Sequence, residues 1–130
     1  MCLAYTARVV KVLVVDDEPE MVELVSMVLD DGRVEILTAY DGLEALGIAR
    51  EERPKLVLTD IMMPHMDGVE LCRRLREEPG TRDTAVLLMS AARRMDTSGC
   101  CAVGMIRKPF DLQELSDTVR RHLSATPLSV

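Results

Sequence analysis

The chain has 130 residues, 48% hydrophobic and 29% charged, enough for one compact domain with a single core and too little to suggest two. A net charge of −6 and a pI near 4.9 argue against non-specific nucleic-acid binding, which needs a concentrated basic surface, and suit attraction of a cation instead. No apolar run approaches the roughly 20 residues that span a bilayer, and the N-terminus lacks a secretory pattern, so a cytoplasmic protein without membrane contact is expected.

Only three aromatics occur, Tyr5, Tyr40 and Phe110, so Val, Leu, Ile, Ala and nine Met must fill the core. Cys2, Cys72, Cys100 and Cys101 form no CxxC pair and have no His at finger-like spacing, which points to reduced thiols rather than zinc or a disulfide framework.

Val9 to Val15 is a nearly unbroken β-branched run, the signature of a central parallel strand buried on both faces. Helix is expected from Glu18 to Asp30, with Pro19 in its first turn and Met21, Leu24, Val25 and Val28 facing inward. Val22 and Met27 flank that stripe and widen it, which suits a docked partner helix. A second strand spans Val34 to Ala39. Asp41 and Glu44 then form an N-capping box for a helix that runs to about Glu52 and is closed by Pro54.

Leu56 to Thr59 is a third buried strand, with Asp60 standing at its end. After a loop containing His65, which reads as a surface residue, Asp67 and Glu70 cap a helix with Leu71, Cys72 and Leu75 inward. Arg73, Arg74 and Arg76 form a solvated face of that helix. Ala85 to Met89 is a fourth strand ending at Ser90, and Val103 to Arg107 a short fifth ending at Lys108. Asp111 and Glu114 cap a last helix with Leu112, Leu115, Val119 and Leu123 on one face. This alternation selects a doubly wound, three-layer α/β sheet.

The chemistry-bearing residues share one position in that scheme. Asp16 and Asp17 follow strand one, Asp60 ends strand three, Ser90 ends strand four and Lys108 ends strand five. In an open α/β sheet the C-terminal strand ends form the ligand crevice, so these five residues converge. Carboxylates about 4 Å apart repel by about 4 kcal/mol near a protein surface, so three together must take up protons or a cation. Mg²⁺ fits best, because it is commonly held by one or two carboxylates plus a phosphoryl oxygen. Lys108 then faces that oxygen, Ser90 donates a hydrogen bond to it, and a carboxylate of the cluster can act as nucleophile toward a phosphoryl donor.

From about residue 9 to 123 the chain resembles the receiver domain of two-component response regulators. The carriers are Val-Val-Asp16-Asp17-Glu-Pro, Leu-Thr-Asp60-Ile-Met-Met-Pro-His-Met-Asp-Gly, Leu-Met-Ser90-Ala and Arg-Lys108-Pro-Phe. The resemblance implies a flavodoxin-like (βα)5 fold, with residues 1–130 forming a single receiver domain and no output domain. It also implies that a histidine kinase or phosphotransfer protein transfers a phosphoryl group to Asp60. Asp17, Asp60 and the backbone carbonyl of Met62 would bind Mg²⁺ directly, and Asp16 through water. Ser90 and Lys108 would grip the phosphoryl group, and the Lys108-Pro109 peptide would be cis. The domain would catalyse only its own phosphorylation and dephosphorylation, as a monomer or weak dimer.

The chain departs from the family pattern in the following respects. Met105 stands where an aromatic switch residue is usual, as the partner of Ser90 in signal readout. The stretch between Ser90 and Lys108 is about one helical turn short, so the fourth helix is truncated. Met62 and Ala92 occupy the places that tune hydrolysis, and neither side chain can orient a water, which implies slow self-dephosphorylation. Two other readings stay open: a pseudo-receiver that only binds partners, and a phosphatase or phosphotransferase working through an aspartyl phosphate.

Overall fold

A computed structural model describes residues 10–30, 32–91 and 102–124. Five strands, β1 (Val10–Val15), β2 (Val34–Ala39), β3 (Leu56–Asp60), β4 (Ala85–Ser90) and β5 (Gly104–Arg107), form one sheet in the order β2-β1-β3-β4-β5. All pairings are parallel. Four helices accompany them among the described residues: α1 (Pro19–Leu29), α2 (Gly42–Glu52), α3 (Gly68–Glu77) and α4 (Leu112–Ser124). The short fourth helix expected from the sequence falls on residues 92–101, outside the described residues, as do Ala92, Cys100 and Cys101.

Alternation along the central strands divides the core in two. Leu13, Val15, Val57, Val86 and Leu88 face α2 and α3, where they meet Ala45, Leu46, Ala49, Leu71, Cys72 and Leu75. Val12, Val14, Leu58, Leu87 and Met89 face the other way, against Val22, Val25 and Leu29 of α1 and Leu115 and Val119 of α4. Because successive side chains of a strand point to opposite faces, a strand buried on both sides must be apolar throughout. This explains the unbroken runs in β1 and β3.

Helix starts follow the local chemistry. The Asp41 and Asp67 carboxylates each accept the backbone N–H three residues on, from Glu44 and Glu70, at 2.8 Å. The return half of each expected box differs. Glu44 accepts from Tyr40 N–H at 2.8 Å, one residue earlier than the box requires, and Glu70 pairs with Arg73 and Arg74 on its own helix. Asp111 receives the N–H groups of Gln113 and Glu114.

The apolar face of α1 is rotated from expectation, whereas α4 turns Leu115, Val119 and Leu123 inward as expected and leaves only Leu112 outside the core. On α1, Val22, Val25 and Leu29 are buried, whereas Leu24 is 39% exposed. Apolar residues cover so much of this helix that periodicity fixes the spacing of a stripe but not its angle about the axis. That angle is set by Val12, Val14 and Leu58 beneath. Leu112, the first residue of α4, is also exposed and lies beyond the sheet edge beside Leu24. Accordingly, Leu29→Ala should cost about 2–5 kcal/mol and Leu24→Ala under about 1 kcal/mol in urea unfolding followed by circular dichroism. The reverse ranking would mean that the first orientation of α1 was right.

Candidate functional site

Asp16 sits one residue past β1, fully buried, with its N–H donating to the Ala39 carbonyl at 3.2 Å as the last rung of the sheet. Its carboxylate accepts the Glu18 N–H at 3.0 Å and the Lys108 ammonium at 3.0 Å. One residue thus both supports the start of α1, whose N-cap Glu18 makes no side-chain cap of its own, and holds the lysine. Asp17, next along, is exposed. Asp60 ends β3 and is 7% exposed. Carboxylate oxygens of Asp16, Asp17 and Asp60 lie within 4.8 Å of one another.

Across the crevice, the ends of β4 and β5 are joined by Lys108 N–H donating to the Ser90 carbonyl at 2.8 Å. Ser90 is fully buried, and the Lys108-Pro109 peptide is cis. The Lys108 ammonium reaches Asp60 Oδ1 at 3.4 Å as well as Asp16. All five residues picked out from the strand ends therefore meet at one edge. Met62 follows in the next loop with its side chain 62% exposed, and Met105 lies on edge strand β5, 47% exposed, in register with Leu88.

Burial is the largest influence on Asp60 and raises its pKa. The Lys108 charge opposes this, and the Asp16 and Asp17 charges add to it, leaving the carboxyl above its ordinary value. Burial alone would lower the Lys108 pKa, but its bond to Asp16 and the charges of Asp16 and Asp60 more than reverse that.

The loop after Asp60 is pinned by contacts that the sequence did not reveal. Ile61 donates its N–H to Met89 and accepts from Gly68 N–H, both at 2.9 Å, and Met66 N–H donates to Pro64 at 2.7 Å around His65, whose φ is +70°. That is a γ-turn, strained for a non-glycine residue. A Cβ on Gly68 would lie 2.5 Å from the Asp60 carbonyl oxygen, and one on Gly42 2.7 Å from the Met66 carbonyl oxygen. The first residues of α2 and α3 thus clamp the loop with bare backbone. The available signal was that both helices open with Asp-Gly, although glycine is a poor helix former.

A carboxyl whose pKa is raised on folding contributes stability that is full below its unfolded pKa and lost as pH rises through the folded value. In EDTA, Asp60→Asn should therefore melt above wild type at neutral pH, with the gap closing toward about pH 4. A gap that widens on acidification would refute the raised value. Added Mg²⁺ should raise the melting temperature of wild type more than that of the variant.

A family profile described as the response regulator receiver domain matches residues 12–120. The chain is 40% identical over 122 residues to the probable transcriptional regulatory protein TcrX of Mycobacterium tuberculosis, covering 90% of this chain and 51% of that protein. It is 37% identical over 120 residues to an uncharacterized 14.6 kDa protein of Leptolyngbya boryana, covering 89% of this chain and 92% of that one. Among solved structures, the chemotaxis response regulator CheY4 of Vibrio cholerae superposes with a TM-score of 0.81 at 31% identity, over 88% of this chain and 99% of that one. The chain spans about half the length of the first curated relatives it matches. By profile, by sequence and by fold, it belongs to the response regulator receiver domain family of two-component systems.

Proposed function

We propose that this receiver domain works in the cytoplasm, takes a phosphoryl group onto Asp60 from a phosphohistidine of a histidine kinase or phosphotransfer protein, and passes the signal on through altered partner binding. The carrying observation is the strand-end cluster itself: a buried acceptor carboxylate with two further carboxylates within 4.8 Å and an ammonium 3.4 Å away. An Asp60 oxygen attacks phosphorus, an O–P bond forms, the P–N bond breaks, and the electron pair stays on the imidazole nitrogen. Lys108, held in place by Asp16, offsets charge on the transferred group. Ser90 donates its hydroxyl to a phosphoryl oxygen as Met105 moves inward to fill the space vacated.

The donor set, oxygen only and strongly anionic, fits a hard cation. Asp17, Asp60 and the Met62 carbonyl would hold Mg²⁺ directly and Asp16 through water. When bound, the ion would neutralise charge on the phosphoryl oxygens. Met62 stands two residues after the acceptor, where a hydrolase acting through an aspartyl phosphate usually carries a second acid. The domain is accordingly a signalling acceptor, monomeric or weakly dimeric, and acts only on its own phosphoryl group.

Beside Lys108, Met21 and Leu24 of α1 face Ala91, Pro109, Phe110 and Leu112 across an apolar recess of about 410 Å³. A phosphohistidine-bearing helix with an apolar face would find both its landing site and its acceptor here. No helix among the described residues is long and apolar enough to cross a membrane.

With Mg²⁺ and a small phosphoryl donor, wild type should gain the mass of one phosphoryl group and Asp60→Asn none. Absence of any Asp60-dependent gain, or of any response to beryllium fluoride, would turn the reading to a partner-binding module that does not use phosphorylation. Leu24→Asp should slow transfer from a phosphorylated histidine kinase by about tenfold or more while leaving the small-donor rate unchanged. Equal slowing with both donors would contradict docking at the recess.

A further inference from the structure

The acceptor strand carries one hydroxyl that this chemistry does not use. Thr59 is fully buried, and its Oγ1 donates to the backbone carbonyl of Asp60 at 2.9 Å. Sheet register gives the reason. The ladder between β1 and β3 ends at Val15 opposite Thr59, one residue short of Asp60. On the other side, the ladder to β4 continues through Ile61 N–H to the Met89 carbonyl. The Asp60 carbonyl therefore falls where its neighbouring strand has run out.

Gly68 lies against that same carbonyl, close enough that an added Cβ would sit 2.5 Å from its oxygen. A carbonyl covered in this way needs a donor from the protein, and the Thr59 hydroxyl stands in for the missing strand.

We infer that Thr59 is a positioning residue for the phosphoacceptor. By tying down the Asp60 carbonyl it fixes the peptide between Asp60 and Ile61. That peptide sets both the direction of the acceptor carboxylate and the start of the loop bearing Met62. The inference rests on the acceptor role proposed for Asp60. It gives the residue before the acceptor a function that its place in an apolar strand does not suggest.

Thr59→Val keeps the shape and removes the donor, whereas Thr59→Ser keeps the donor and removes a methyl. The test compares both with wild type for phosphorylation by a small donor, Mg²⁺ affinity by titration, and folded fraction by circular dichroism. Per folded molecule, Thr59→Val should be phosphorylated about tenfold or more slowly and bind Mg²⁺ more weakly, and Thr59→Ser should recover to within about threefold of wild type. A valine variant that melts lower yet reacts at the wild-type rate would overturn the inference, as would equal slowing in both variants. If wild type itself takes up no phosphoryl group, the acceptor reading fails. The positioning role is then decided by Mg²⁺ affinity alone, supported if only the valine variant is weakened and overturned if it matches wild type.

Discussion

Everything at the active edge depends on one ammonium standing among three carboxylates. Lys108 reaches Asp16 at 3.0 Å and Asp60 at 3.4 Å, and without it the strand ends would gather like charges at a separation where repulsion costs several kcal/mol. The sheet makes this juxtaposition unavoidable. With every pairing parallel, residues as much as 92 positions apart in the chain must finish at the same edge. One ammonium does not neutralise three acids, and the Asp60 pKa stays raised, chiefly by burial, with the charges of Asp16 and Asp17 adding to it against the pull of Lys108.

Around that centre the domain divides its work between two faces. α2 and α3 pack on one side of the sheet and hold the loop after Asp60 through Gly42 and Gly68. α1 and α4 pack on the other and present Met21, Leu24 and Leu112 beside Lys108, a surface suited to a partner's helix. The carboxylate cluster and the apolar recess therefore meet at the lysine but are supported by different halves of the core.

How much of this could be read from the sequence depended on how local the determining contacts were. The strands β1 and β3 declared themselves because burial on both faces favours an almost unbroken apolar run, and Asp41, Asp67 and Asp111 marked helix starts because a cap bonds only two or three residues ahead. The five site residues were legible because strand ends can be counted along the chain. The angle of α1 was not legible, since Met21, Val22, Leu24, Val25, Met27, Val28 and Leu29 satisfy more than one stripe. The role of Gly42 and Gly68 was not legible, because the atoms they touch, on Met66 and Asp60, become neighbours only once the loop has folded back. Thr59 was absorbed into an apolar run, and only the register of β1 shows that its hydroxyl replaces a missing rung.

The clamp on the loop after Asp60 also bears on how such a domain would be mapped by mutation. At most positions, replacement by alanine deletes atoms and reports what a side chain was contributing. At Gly42 and Gly68 the same replacement adds an atom, within 3 Å of another residue's backbone. What lets the loop close there is empty space, and a survey that works by removal would pass over it.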